Sequence, residues 1–220
     1  MRIGVDFDNT IACYDTIFHR VAVERGLVPA HFEVSKNTVR DYLRSVGRED
    51  AWTEMQGYVY GARMAEVQAY PGALQCLAAW NRAGIPVFII SHKTRFPYQG
   101  ELYDLQQAAW EWLEQLGALR DSCRAGVSPA EKTTDLPRER IFFELSKEAK
   151  LARIDMTACT HFIDDLPEFL AAPAFPGQVE RILFDPHDVH ADEQRFRRVR
   201  SWQELERYLR PATACDRQNP

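Results

Sequence analysis

Ile3-Gly-Val-Asp-Phe-Asp-Asn-Thr10 is a short apolar run that ends in two acids, Asp6 and Asp8, followed by Thr10. Strand side chains alternate with a period of two. Asp6 and Asp8 therefore point the same way if the strand continues through them. Two carboxylates converging at a strand tip make an unfavourable like-charge pair, and a cation placed between them relieves it. The plainer alternative is a strand that runs into an Asp/Asn-rich turn.

Working outward, residues 2–7, 87–91, 141–143, 161–163 and 181–184 are all short and nearly continuous in apolar character. Such runs suit strands buried on both faces of a parallel sheet. Helical patterns lie between most of them. Residues 71–83 carry Leu74, Leu77 and Ala78 on one face before Gly84, and residues 104–116 place Leu105, Ala109, Trp112, Leu113 and Leu116 at helical spacing before Gly117. Ser146 is placed to cap a helix running to about Ile154, and Ser201-Trp-Gln-Glu204 has the capping-box pattern. Alternating strands and helices predict an α/β chain with a doubly wound parallel sheet.

One segment breaks the alternation. About sixty residues separate the first strand from the helix at Pro71, far more than a crossover needs. They hold helical patterns such as Ile17, Phe18, Val21 and Ala22 but no convincing strand. The expected organisation is a core of residues 1–13 and 70–210, an inserted helical cap at 14–69, and a flexible polar tail at 211–220. Residues 118–140 are weakly patterned and read as mostly loop.

Composition narrows the function classes. A chain of 220 residues, 45% hydrophobic and 27% charged, fits one large domain with a modest insertion. A net charge of −5 argues against a nucleic-acid partner. The most basic stretch, Arg195-Phe-Arg-Arg-Val-Arg200, reads as a solvated face. The five cysteines are odd in number and have no Cys-x-x-Cys spacing, against a disulfide framework or structural zinc. No apolar run approaches transmembrane length, and the first residues enter a strand without signal-like regions. The expectation is a cytoplasmic protein acting away from membranes. Its oligomeric state is left open.

Ligands of open parallel sheets bind beyond the carboxyl ends of the strands. After the first strand come Asp6, Asp8 and Thr10. Ser91, His92, Lys93 and Thr94 follow the second, and Asp164 and Asp165 follow the strand at 161–163. Lys147 and Lys150 lie in the helix leading toward that last strand. Over residues 2–170 this order resembles the haloacid-dehalogenase-like (HAD) phosphohydrolases: an Asp-x-Asp-x-Thr motif, a Ser/Thr, a lysine, then an Asp-Asp. The resemblance implies a HAD-type Rossmann-like core and a Mg²⁺-dependent phosphatase that works through an aspartyl-phosphate.

On that resemblance Asp6 is the expected nucleophile and Asp8 the acid and base. Ser91 would bond a phosphoryl oxygen, and Lys150, with Lys147 as the alternative, would neutralise charge. The metal ligands implied are Asp6, Asp8 through its backbone carbonyl, Asp164 and Asp165. Thr10, His92, Lys93 and Arg95 flank this set as expected substrate contacts. The implied partner is a small phosphate ester, a sugar phosphate or a nucleoside monophosphate, with a slight tilt to the former because some HAD proteins of this appearance belong to sugar or polysaccharide pathways. A phosphotransferase or phosphomutase is the alternative enzyme, and a non-catalytic binding or regulatory protein the alternative of another class. An acid at Asp8 favours phosphate chemistry over dehalogenation, because halide leaves unprotonated whereas an alkoxide does not.

Other residues carry weaker signals. His187 and His190 fall in a loop, where their spacing imposes no ligand geometry. Trp52, Met55, Tyr58 and Tyr60 are expected to form the cap's own core rather than a substrate wall. Tyr98 is an even choice between substrate contact and surface. Arg40, Arg44 and Arg63 are expected at the surface, the alternative being that one reaches down from the cap to read a second charge.

Overall fold

The computed structural model describes residues 1–119 and 134–210. Eight strands and eight α-helices are built from them. Six strands form one all-parallel sheet: β1 (Ile3–Val5), β4 (Val87–His92), β5 (Ile141–Glu144), β6 (His161–Asp164), β7 (Glu180–Phe184) and β8 (Arg197–Val199). Their spatial order is β5-β4-β1-β6-β7-β8. The chain moves outward from β1 through β4 to β5, then returns to place β6 on the other side of β1. Strand order therefore reverses beside β1, which is where open sheets leave a crevice for ligands.

Alternate residues of these strands enter two separate apolar layers. Ile89, Ile163 and Ile182 pack on one face, with Trp112 of α5 (Leu105–Gln115) and Trp202 of α8 (Trp202–Tyr208). Ile90, Phe162 and Leu183 pack on the other, with Leu151 of α6 (Lys147–Met156) and Phe169 of α7 (Pro167–Leu170). Burial on both faces is why β1, β4, β6 and β7 carry near-continuous apolar runs. Gly4 is the exception in β1, and Phe162 explains it: a Cβ there would stand 2.5 Å from the ring carbon Cδ2.

Local chemistry sets the helix starts. Ser146 Oγ accepts from the Ala149 amide at 3.1 Å, Asp104 from Gln107 at 3.0 Å and Ser201 from Glu204 at 3.2 Å. Each satisfies an amide that the first helical turn leaves unpaired. A third helix of the first layer, α4 (Ala73–Arg82), follows Gly72, whose φ of 87° belongs to the left-handed region.

Three helices occupy the long segment after β1: α1 (Asp15–Glu24), α2 (Lys36–Ser45) and α3 (Glu49–Tyr60). They pack on one another through Phe18, Val39, Leu43, Trp52 and Met55, with the Phe18 and Trp52 rings 4.8 Å apart. Contrary to the expectation of no strand, two short ones frame them. β2 (Ala12–Cys13) and β3 (Gln68–Ala69) pair antiparallel, tying the exit of the segment to its return. A second correction concerns Arg195–Arg200. It contains the edge strand β8, with only Val199 of that strand buried. Of the expected loop at 118–140, residues 120–133 lie outside the described residues; within the remainder Leu119 and Leu136 form a bridge and Arg138–Arg140 a 3₁₀ turn. The expected tail at 211–220 lies outside them altogether. Among the described residues no helix is long and apolar enough to cross a membrane.

The helical segment also touches the loop after β4. A Cβ on Gly57 of α3 would lie 2.6 Å from Pro97 Cβ, and one on Gly61 would strike the Tyr103 ring. The two glycines sit one turn apart and admit that loop against the helix. Gly57→Ala is expected to destabilise the protein by about 1–3 kcal/mol, the usual range for overpacking. A urea melt checks this, and an unchanged midpoint would mean that loop and helix separate freely.

Candidate active site

Asp6 is the first residue after β1 and Asp164 the last of β6, so the switch in strand order brings them together. Lys150, inside α6, reaches both. Its Nζ lies 2.6 Å from Asp6 Oδ1 and 2.6 Å from Asp164 Oδ2, and all three residues are buried. Carboxylate oxygens of Asp6, Asp164 and Asp165 all fall within 4.8 Å of one another. One lysine does not balance three acids. Burial, opposed by Lys150, lifts the Asp164 carboxyl to about 7. Burial and then the Asp164 and Asp6 charges push Asp165 well above the usual carboxylate range. The Asp164 and Asp6 carboxylates also repay Lys150 for its burial and hold its pKa above that of an ordinary lysine.

Asp8 belongs to a different partnership. The strand ends at Val5, so the expectation that Asp6 and Asp8 share one strand direction is corrected. Asp8 lies in the turn that follows, where Asn9 adopts a left-handed φ of 58°. Lys93 Nζ approaches both Asp8 oxygens, at 2.9 and 3.0 Å, and the Tyr14 hydroxyl donates to Oδ1 at 2.5 Å. Burial works against the Asp8 charge, but Lys93 and then Tyr14 outweigh it and hold its pKa below the usual value. Each acid thus has its own lysine, and the Asp8 carboxylate stands outside the carboxylate trio. Its backbone carbonyl is the only Asp8 atom left for the ligand role that the sequence implied.

A cavity of about 310 Å³ opens over these groups. Asp6, Asp8 and Asp165 line it together with Ser91, His92 and Lys93 from the end of β4. Ser91 is buried, as are Ile90 and Lys93, while His92 is half-buried. Lys147, the first residue of α6, is exposed at the cavity wall, whereas Lys150 is the lysine that touches Asp6. Tyr98 lines the wall while remaining 82% exposed.

Two expected substrate contacts fall elsewhere and are corrected. Thr10 is fully buried and does not line the cavity; its carbonyl accepts from Trp202 Nε1 at 3.0 Å. The tight turn after Asp8 swings it into the core. Arg95 also lies off the cavity, its guanidinium turned outward to Asp104 at 2.9 Å. Of the four residues expected in the cap core, Trp52 and Met55 are core and Tyr58 packs partly buried against it, while Tyr60 lines the cavity. Arg40, Arg44 and Arg63 pair with Asp41, Glu49 and Glu24 respectively and do not line the cavity. His187 bonds Asp15 at 2.8 Å, and neither it nor His190 joins a metal-ligating group among the described residues.

Sequence reasoning missed Lys36, Tyr14, Asn9 and Gln56. Lys36 opens α2 behind Ser35, whose hydroxyl caps the helix. A Ser-Lys pair at a helix start predicts a cap and nothing more, so no sequence signal ties Lys36 to the cavity that it lines.

The acidic trio suits a divalent cation, because its charge exceeds what Lys150 supplies and its oxygens converge. That has a thermodynamic consequence. A carboxyl with a higher pKa folded than unfolded binds more protons in the folded state. The stability it lends is present below its ordinary value of 3.8 and is lost as pH rises to about 7. A cation needs the same carboxylates ionised and so competes with the protons. Mg²⁺ is expected to raise the Tm more at about pH 8 than at about pH 5.5. Equal shifts at both pH values would contradict the trio as the binding site.

No family model matches the chain, and no curated protein matches it. Solved structures do. A phosphoserine phosphohydrolase-like protein from Francisella tularensis superposes with a TM-score of 0.52 at 14% identity, over 94% of this chain and 99% of its own. A HAD family hydrolase from Deinococcus radiodurans, solved with bound phosphate and sodium, gives 0.51 at 17% identity, over 93% and 92%. A haloacid dehalogenase-like hydrolase from Burkholderia xenovorans gives 0.50 at 16%, over 93% and 94%. Likeness at such low identity speaks to the fold alone: the chain shares the α/β architecture of these HAD-superfamily hydrolases.

Proposed function

We propose that this chain is a divalent-cation-dependent phosphatase acting on a small phosphate ester through a covalent phosphoryl-Asp6. The observation that carries the reading is the division of the acids. Asp6, Asp164 and Asp165 converge as a cation site, while Asp8, two residues from Asp6, is held apart by Lys93 and Tyr14. A separate acid beside the nucleophile serves an alkoxide leaving group and is superfluous for a halide.

Asp6, Asp164 and the Asp8 carbonyl, with Asp165 beside them, would hold the cation, which would supply positive charge against the phosphoryl oxygens. Everything else falls to the chain. Lys150 holds Asp6 at the strand tip and offsets the charge that gathers there. The Ser91 hydroxyl is placed to donate to a phosphoryl oxygen. Asp8 is ionised in the free protein, so the proton it delivers enters with the ester as its monoanion. An Asp6 oxygen attacks phosphorus, the P–O bond to the alcohol breaks, and the Asp8 proton passes to the departing oxygen. Asp8 then takes a proton from water as its oxygen attacks phosphorus, which frees Asp6 and inorganic phosphate. Tyr60 and the helical segment above limit the water that reaches the intermediate.

The test is phosphate release from a panel of phosphate esters with Mg²⁺, in parallel with halide release from 2-haloacids. Release of phosphate that stops in EDTA supports the reading, and halide release without phosphate release overturns it. Adding acceptor alcohols separates hydrolysis from phosphoryl transfer.

A further inference from the structure

We propose that Lys36 binds a second anionic group on the substrate, so that the preferred ester carries a carboxylate or another phosphate besides the one cleaved. This rests on the phosphatase reading of the same cavity.

The lysines around the cavity differ in what holds them. Lys150 is bound to Asp6 and Asp164, and Lys93 to Asp8. Lys36 has no ion-pair partner among the described residues. Its Nζ donates to a neutral acceptor, Asn9 Oδ1, at 3.0 Å, and lies 5.5–5.6 Å from the ring centroids of Tyr14, Phe18 and Tyr60. Aromatic faces stabilise an ammonium without neutralising it. The arrangement therefore keeps a full positive charge in the wall of a cavity, where a carboxylate partner would have cancelled it.

Its position separates it from the phosphoryl end. Ser91 and Lys93 come from β4, on one side of β1. Lys36 stands with Asn9 and Asp165, on the β6 side, where it also borders a smaller recess lined by Asp185 and His187 after β7. A phosphoryl group seated between Asp6 and Ser91 leaves Lys36 facing the remainder of the substrate. Gln56 and Tyr60 of α3 line the same cavity and add polar groups beside it. An ammonium, an amide and a phenol together favour an anion over the plain hydroxyls of a sugar, because the Asp8 and Asp165 charges act on Lys36 only from beyond ion-pair distance and leave its direct contacts to neutral groups.

The experiment compares matched esters: phosphoglycerate against glycerol phosphate, and fructose bisphosphate against a fructose monophosphate. The first pair tests a carboxylate and the second a phosphate. The native protein is expected to favour one doubly anionic member by about tenfold or more in kcat/KM. Lys36→Gln removes that preference, mainly through KM, and Lys36→Arg retains it. Lys36→Gln with p-nitrophenyl phosphate, which has no second anion, loses much less. Equal losses on every ester would place Lys36 at the transferred phosphoryl group and overturn the proposal, as would the absence of any preference in the native protein. Calorimetric binding of phosphoglycerate and of inorganic phosphate to the Asp6→Asn protein, with and without Lys36→Gln, needs no turnover. A loss of about tenfold for phosphoglycerate, with a smaller one for phosphate, supports the assignment even if the chain releases no phosphate and the phosphatase reading itself fails. Unchanged phosphoglycerate affinity overturns it.

Discussion

Asp6→Asn is expected to lower phosphate release by about a thousandfold or more while the protein stays folded. The amide has no charge to bring to phosphorus, and as a cation ligand it is poor. The fold has reason to survive. Lys150 keeps its 2.6 Å contact with Asp164, so the substitution does not strand a buried ammonium. Removing Asp6 also takes one anion out of a crowded trio, which relieves Asp164 and Asp165. Release rates beside a thermal melt check both halves. Activity retained at more than a few per cent in a folded variant removes Asp6 from the chemistry.

Asp8→Asn is expected to be selective where Asp6→Asn is not. p-Nitrophenolate departs without a proton, whereas an alkoxide needs one. The first step should therefore suffer far less with an aryl than with an alkyl phosphate. The second step lacks its base with either ester. A burst of p-nitrophenol followed by slow turnover is the expected trace in rapid quench. The structure adds a stability component. Lys93 is 3% exposed and loses its carboxylate in this variant, at a cost of about 1–3 kcal/mol. A melt distinguishes that loss from a chemical one. Equal first-step losses with both leaving groups return Asp8 to a structural role beside Tyr14 and Lys93.

What the sequence could and could not disclose follows from where each residue's position is decided. Strands β1, β4, β6 and β7 are buried on both faces, so their apolar runs were plain. The edge strand β8 was not, because Arg197 and Arg198 keep it charged, a common guard for an unpaired edge. Strands β2 and β3 have two residues each, too few to show a period. Asp6, Ser91 and Asp164 sit at or just past strand ends, and chain order alone reveals such places. Thr10 was assigned as part of the Asp-x-Asp-x-Thr pattern and Arg95 by adjacency to Ser91, and neither fixes a side chain's direction in a turn. One points into the core beneath Trp202, the other outward to Asp104. Lys36 and Gln56 reach the cavity, and Tyr14 reaches Asp8, through the packing of α1, α2 and α3, which no local pattern encodes.

The central claim is a covalent bond between Asp6 and phosphorus. Asp8→Asn should allow that species to accumulate, because hydrolysis of the intermediate is then the slow step. The measurement is an acid quench of this variant with Mg²⁺ and a radiolabelled aryl phosphate, followed by peptide mapping. The account predicts label on the peptide containing Asp6, stable in acid and discharged by hydroxylamine, and none after Asp6→Asn. Steady phosphate release from the native protein with no label on that peptide, or label on another residue, would contradict it.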